Sequence, residues 1–324
     1  MSANICEKKV CFYGVKPWHG IGTELASPAT AQEAIVAAGL DYDVQRNPVF
    51  SFQDGNKIEI PEKYSTLRIE KDGRIAPLGI VGERYEIIQN KDAFGFFDEV
   101  VASGEAKYHV AGALGRGEKI WLLAKLPNNT LSFKGDVVEK YLCLANSHDG
   151  SSALKCFFTG IRVVCQNTLT LALKDAKNGV SIRHSGDLED KVNEARRVLG
   201  LSLDFFATFD ESAKVLASKQ VSVKEAEGYV NNVLEIKDEE KASSRAKNQR
   251  GLILDLFDQE GQKLPELKGT AWLAYNAVVA NYDHFQTVKG VAKDPTNRLK
   301  SIWFGAAAES KARAFDLALE LVKN

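Results

Sequence analysis

The chain has 324 residues, of which 44% are hydrophobic and 26% are charged, a composition typical of a globular protein with room for two domains. Lysine and arginine total 42 against 43 aspartate and glutamate residues, a net charge of −1. This balance excludes a globally basic nucleic-acid binder, although it leaves room for a local basic groove.

Membrane association and metal binding have little support in the sequence. No apolar run reaches the roughly 18 residues that a membrane span requires, and the first residues contain no long apolar stretch, so we expect a cytoplasmic protein without membrane contact. The five cysteines are odd in number and lack metal-ligand spacing. We therefore expect buried, reduced thiols and neither a metal nor another cofactor.

The chain divides into three segments by the period of its apolar residues. An N-terminal segment, residues 1–40, carries Pro-Trp-His-Gly at 17–20 and a helix that starts at Thr30, with Glu33 at capping-box spacing. From 41 to 184 short alternating runs predict a β-rich core. Its strands are expected at 47–53, 57–60, 64–70, 74–82, 105–114, 118–126, 136–146, 152–166 and 180–184.

One helix interrupts the β-rich core, at about 91–103 with Asn90 as its cap. From 185 to 324 the period is helical, with later helices expected at about 222–235, 240–258, 268–285 and 297–323. The predicted fold class is therefore α+β, a mostly antiparallel β-rich core with one inserted helix, followed by a helical C-terminal half. The absence of βαβ alternation counts against a dinucleotide-binding fold.

Common enzyme signatures are missing, including the phosphate-binding loop, the nucleophile elbow and the zinc-protease helix. The glycines at 112, 115 and 117 lie between two strand patterns, so they indicate a hairpin turn with Arg116 near its tip.

The most polar part of the β-rich core is 146–152, Asn-Ser-His-Asp-Gly-Ser-Ser. In one interpretation His148 is a general base oriented by Asp149, Ser151 or Ser152 is a nucleophile or ligand contact, and Cys165 lies beside them in a polar pocket. In the other the segment is a hairpin loop, where asparagine, aspartate, glycine and serine are the expected residues. We prefer the loop.

The following strand has features of a nucleic-acid-binding surface. Lys155 and Phe157 share one face by the period of two, and a bulge at Gly160 would bring Arg162 to that face. Cations for phosphates with a ring for base stacking are what single strands require. The alternative is a core strand whose cations reach out to solvent. Other candidates for the same groove are Arg84, Tyr85, Arg116 and Arg183.

Six stretches in chain order carry a resemblance to a known family. They are Pro-Trp-His-Gly-Ile-Gly at 17–22, 81–90, 146–168 with Arg-Val-Val-Cys-Gln-Asn-Thr at its end, Ile-Arg-His at 182–184, 270–278 and Trp-Phe-Gly at 303–305. Together they resemble the phage/plasmid-like protein family, a domain of unknown function, from which the chain departs at Gly160, where a proline is expected. The resemblance implies an origin in mobile elements but no activity.

Two functions of different classes follow. In the first, the chain binds or anneals single-stranded DNA in recombination or replication, because a helix inserted among antiparallel strands is similar to the Rad52-like annealing fold. This similarity implies a homo-oligomer, since such proteins form rings. In the second, it is a nucleotide- or small-molecule-binding enzyme or a host-defence modulator with a pocket around His148. We prefer binding over catalysis.

Overall fold

A computed structural model of the protein describes residues 5–14, 22–27, 29–101, 107–126, 130–162, 168–170, 179–184, 202–286, 301–302 and 305–323. The chain divides into two compact units. The first comprises Met1–Pro127, Tyr141–Phe157 and Gly179–Gly200, and the second comprises Asn128–Lys140, Phe158–Asn178 and Leu201–Asn324. Strands and helices are both abundant and the C-terminal half is helical, so the predicted α+β class is confirmed.

The first unit contains a large sheet. Its strands are β1 (Ile5–Tyr13), β2 (Thr23–Leu25), β6 (Lys107–Leu114), β7 (Lys119–Lys125), the second half of β9 (Asp136–Ser147), the first half of β10 (Leu154–Arg162) and β12 (Gly179–Ile182). They follow the order β12–β10–β9–β7–β6–β1–β2, with β1 and β2 parallel. All five residues from Ile120 to Ala124 in β7 are buried, which explains the unbroken apolar run at this strand.

A second, smaller sheet lies in the same unit. It contains β3 (Asp43–Gln53), β4 (Asn56–Ile69) and β5 (Ile75–Gly82), which are antiparallel in that order. Asp54 and Gly55 join β3 and β4 with positive φ angles of 50° and 81°, the conformation of a tight hairpin turn. The turn lies between the strands predicted at 47–53 and 57–60.

Two helices complete the described part of the first unit, α1 (Ala31–Ala37) and α2 (Asn90–Val101). The hydroxyl of Thr30 accepts a hydrogen bond from the backbone N–H of Glu33, whose carboxylate accepts one from the Thr30 backbone N–H. The predicted capping box is therefore confirmed, because both reciprocal bonds are present.

The second unit is mostly helical. Its strands are β8 (Leu131–Phe133), the first half of β9, the end of β10, and β11 (Thr168–Thr170). Its helices are α3 (Ser202–Ser218), α4 (Val223–Val233), α5 (Ser244–Lys263), α6 (Ala271–Ala280) and α7 (Ala306–Lys323), with a 3-10 turn at Pro265–Leu267 and a π-helical turn at Asn281–Phe285.

Helix α6 forms the core of the second unit. Every residue from Ala271 to Ala280 is buried, which matches an apolar helix without a polar face. The indole N–H of Trp272 donates to a carboxylate oxygen of Asp136 at 2.7 Å, and the Trp272 ring lies 5.5 Å from that of Phe133. The aromatic side chains of this helix therefore belong to the core of the unit and do not form a binding site.

Two sequence expectations need correction. The first strands, β1 and β2, fall in a segment for which only a helix was predicted, because neither has a clear alternating pattern. The register of β10 with β11 is continuous at Thr159, Gly160 and Ile161, so this pairing shows no bulge at Gly160 and no change of phase.

Two findings concern the wider expectations. In the ranges that the structure describes, no helix has both the length and the apolar character needed to cross a membrane. Cys11, Cys143 and Cys156 are buried free thiols, as predicted for these three positions. Burial raises the pKa of Cys11 to about 11, so this thiol stays protonated and behaves as a small apolar side chain.

Candidate nucleic-acid interface

A surface pocket of about 400 Å³ lies in the first unit, where β12 ends beside the β9–β10 loop. Two arginines, Arg84 and Arg183, line it together with the rings of Tyr85 and His184 and with Ser152. Both arginines are exposed and Tyr85 is half-buried. Three residues predicted as nucleic-acid contacts, Arg84, Tyr85 and Arg183, are therefore brought together from positions about a hundred residues apart.

The two rings of the pocket form a fixed pair. Tyr85 and His184 are stacked with centroids 4.7 Å apart and planes 12° from parallel. The Tyr85 hydroxyl donates to the carbonyl of Ser147 at 2.8 Å. Nδ1 of His184 lies 3.0 Å from the carbonyl of Glu86, and because a carbonyl only accepts, this nitrogen carries the proton. Burial, assisted by the charge on Asp149, raises the pKa of Tyr85, so the phenol remains a donor.

One face of the paired strands β10 and β12 carries the predicted residues Lys155 and Phe157. Lys155 pairs with Ser181 and Phe157 with Gly179, and paired residues of antiparallel strands share a face. Lys155 and Phe157 are half-exposed, whereas Leu154 and Cys156 between and beside them are buried.

Arg183 directly follows β12 and is exposed, as Ser181 is. The predicted alternation of Lys155 and Phe157 with buried neighbours is confirmed. We call Arg84, Tyr85, Lys155, Phe157 and Arg183 the basic-aromatic face.

The β9–β10 loop, residues 147–153, forms the pocket edge and is held by its own polar groups. Oδ1 of Asp149 accepts hydrogen bonds from the Ser147 hydroxyl at 2.6 Å and from the backbone N–H of Ser151 at 2.9 Å. The Ser147 oxygen in turn accepts from the backbone N–H of Ser152 at 3.2 Å. Burial acts to raise the pKa of Asp149, but the bonds from Ser147 and Ser151 outweigh it and lower that pKa. The hairpin-loop interpretation is therefore confirmed.

Strands β4 and β5 of the small sheet contact this loop. The Thr66 hydroxyl donates to the carbonyl of His148 at 2.7 Å. A Cβ atom at Gly79 would lie 2.6 Å from the Cα atom of Asp149, closer than carbon atoms approach one another without bonding. Only glycine fits this contact between β5 and the loop, a requirement that the sequence pattern did not reveal.

The acid–base pair of His148 and Asp149, the alternative interpretation of this segment, is not formed. The His148 side chain is 0% exposed, and its Nε2 lies 2.8 Å from Oδ1 of Asn90. Asn90 donates its own N–H to the carbonyl of Leu40, so Nε2 of His148 is the donor in this pair. Asn90 is thus used to hold His148 rather than as the predicted helix cap.

Electrostatics also argue against a general base at this position. Burial, with His184 nearby, lowers the pKa of His148 to about 3, although the charge on Asp149 acts in the opposite direction. The ring is therefore neutral at physiological pH, and its buried Nδ1 has no hydrogen-bond partner among the residues that the structure describes. Without access to a substrate, His148 positions the loop instead of transferring protons.

Arg116, Arg162 and Cys165 are the other predicted site residues. Arg116 is at the tip of the β6–β7 turn as expected, but its guanidinium pairs with Glu118 at 3.2 Å. Arg162 ends β10, and its side chain lies outside the described part of the structure. Cys165 lies outside the described residues as well. In the described ranges, no three histidine, cysteine, aspartate or glutamate side chains could hold a metal ion together.

The comparisons with known proteins identify a domain but no activity. A family model described as "Domain of unknown function (DUF932)" matches residues 77–303, a range that includes every residue of the basic-aromatic face. No curated protein matches the chain, and no solved structure does.

Proposed function

The chain belongs to the DUF932 family, and from the basic-aromatic face we propose that it binds single-stranded nucleic acid. The observation that carries this proposal is the convergence of Arg84 and Arg183 on one pocket, beside a sheet face with Lys155 and Phe157. Three cations, Arg84, Lys155 and Arg183, lie there although the chain as a whole has a net charge of −1. Binding then depends on local cations rather than on total charge.

Each group of the face has a definite use in this proposal. The two guanidinium groups bind a backbone phosphate, since their planar donors match phosphate oxygens. Lys155 neutralises a neighbouring phosphate, and the half-exposed ring of Phe157 offers a surface on which one base stacks. The stacked pair of Tyr85 and His184 keeps the pocket in shape, because Tyr85 is tied to Ser147 and His184 to Glu86.

The biological role that we propose is annealing in recombination or replication of a phage or plasmid, as a homo-oligomer. It is supported by the resemblance of 17–22, 81–90 and 146–168 to the phage/plasmid-like family. The analogy to annealing proteins rests on the position of α2 in the chain between β5 and β6, two strands that belong to different sheets.

The test is a titration of labelled single-stranded DNA at about 50 and 200 mM salt. We expect Arg84→Ala with Arg183→Ala to weaken binding at least tenfold. Loss of the one phosphate that the two arginines share should also reduce the slope of log affinity against log salt by about 0.7 on single strands. Arg74→Ala is the matched control, because Arg74 is an exposed arginine in the same unit that pairs with Asp72. Equal affinities of the folded double variant and the control would disprove the proposal.

A second candidate function is binding of a free nucleotide or another small molecule, by an enzyme or a host-defence modulator. The concave pocket favours it, because about 400 Å³ lies within the usual range for small-molecule sites. The double variant Lys155→Ala with Phe157→Ala distinguishes the two functions. This change should weaken strand binding yet leave mononucleotide binding in the pocket unaltered, as measured by calorimetry.

A further inference from the structure

The hairpin of β3 and β4 extends beyond the third strand of its sheet. β5 pairs with β4 only from Lys63 to Ile69, whereas β3 and β4 remain paired as far as Gln53 and Asn56. Residues 49–60 therefore form a two-stranded ribbon, which we call the β3–β4 arm. A two-stranded ribbon is marginally stable when both of its faces meet water.

Apolar side chains are nevertheless exposed on both faces of the arm. Phe52 is 72% exposed and Ile58 is 48% exposed, while Val49, Phe50 and Ile60 are half-exposed. Val49 faces Ile60 and Ser51 faces Ile58, with Phe50 and Phe52 on the other side. Solvent-exposed apolar residues on both faces of a ribbon are typical of a surface that another molecule covers.

The backbone of the arm has an open edge as well. In the described part of the chain, β4 pairs with β3 alone between Asn56 and Ile60. Its outward N–H and C=O groups along this stretch are available to a further strand. Pro61 follows directly and limits the edge, because proline has no N–H to donate.

The charges along this edge indicate what covers it. Lys57 and Glu59 lie on either side of Ile58. If two copies pair antiparallel about a two-fold axis at Ile58, Lys57 of each copy lies opposite Glu59 of the other, and the two Ile58 side chains meet. Opposite charges in such cross-strand positions are favourable. Nucleic acid fits poorly, since Asp54, Lys57 and Glu59 together carry a charge of −1.

We propose that the β3–β4 arm is a self-association site, at which a second copy of this chain adds its β4 strand to the open edge between Asn56 and Ile60. Five paired residues bury much less surface than the roughly 800 Å² per partner of a standard stable interface. The association is therefore weak, with a dissociation constant in the micromolar range. It does not depend on the proposed nucleic-acid binding.

Charge reversal in the full-length protein tests the arrangement, with mass measured by sedimentation velocity from about 1 to 200 μM. Lys57→Glu alone and Glu59→Lys alone should each weaken dimerisation at least tenfold, because like charges then face each other across the axis. The double variant should restore it, as should an equimolar mixture of the two single variants. Rescue by mixing requires contact between chains, so a defect within one arm cannot imitate it.

Two further outcomes decide the proposal. Ile58→Lys should abolish dimers, whereas Ile75→Lys should retain them, since Ile75 is an exposed isoleucine of the same sheet outside the arm. A wild-type protein that is monomeric at 200 μM, or a double variant and a mixture that both stay dissociated, would overturn the proposal. So would arm variants that keep their mass and lose single-strand binding, because the arm would then contact nucleic acid.

Discussion

The β9–β10 loop consists almost entirely of polar residues, whereas the β3–β4 arm is rich in aromatic and branched apolar ones. In the structure, the loop residue His148 is 0% exposed and the arm residue Phe52 is 72% exposed. Asp149, Ser147 and Thr66 form hydrogen bonds within and to the loop. In the described part of the chain, the two strands of the arm pair only with each other. The composition of a segment therefore does not predict its solvent exposure, because polar residues can be buried where neighbouring elements supply hydrogen-bond partners.

The largest expected effect comes from the contact beneath the loop. Gly79→Ala should destabilise the protein by about 3 kcal/mol, because the added Cβ would lie 2.6 Å from the backbone of Asp149 and a close-packed site tolerates extra atoms poorly. Gly82→Ala is the control, since a Cβ there meets nothing within 4 Å. The free energies of unfolding come from urea titrations. Similar values for the two variants would show that the loop is loosely held.

A smaller loss is expected from the hydroxyl that ties the loop to the small sheet. Thr66→Val keeps the shape of the side chain but removes the donor to the carbonyl of His148, which should cost about 1.5 kcal/mol. Ser65→Ala next to it loses an exposed 3.3 Å bond to Asn47 and should cost much less. If urea titrations show equal losses in both variants, the bond of Thr66 contributes no more than a surface bond.

The acid dependence of stability tests the buried state of His148. Its pKa is about 3 in the folded protein and about 6.5 when unfolded. Between these values the unfolded chain binds a proton that the native state does not. The contribution is therefore complete above pH 6.5 and is lost as the pH falls, at about 1.4 kcal/mol per pH unit.

Urea midpoints between pH 7 and pH 5 measure this dependence. His148→Gln should flatten it relative to the wild type, whereas His284→Gln should not, because His284 is exposed. An unchanged slope in the His148 variant would mean that the ring titrates normally and is accessible.

Local patterns in the sequence were sufficient for much of the fold. Thr30 and Glu33 predict a helix start because the capping box involves residues three positions apart, and Leu154 to Phe157 predict an alternating strand for a similarly local reason. The pairing of Tyr85 with His184 could not be predicted, since the two residues are about a hundred positions apart and no local pattern links them.

The bonding partners of single residues were harder to predict than the helices and strands. His148 and Asp149 are adjacent and suggest a catalytic pair, but their partners are Asn90 and two serines. Which partner a polar side chain takes depends on tertiary packing, here the close approach of β5 at Gly79. The same holds for Arg116, whose position at a turn was predicted but whose pairing with Glu118 was not.

The smallest expected effect is in the arm, and it depends on protein concentration. Ile58→Thr should change the stability by less than about 0.5 kcal/mol in dilute solution, since Ile58 is 48% exposed and a surface substitution costs little. At about 200 μM the wild type should gain stability from association, because a second copy binds only the folded chain. The difference between wild type and variant in thermal unfolding should therefore widen with concentration. A difference in thermal unfolding that is the same at 1 and 200 μM would mean that Ile58 contacts only its own chain. The arm would then differ from the loop in exposure but would not bind a second copy.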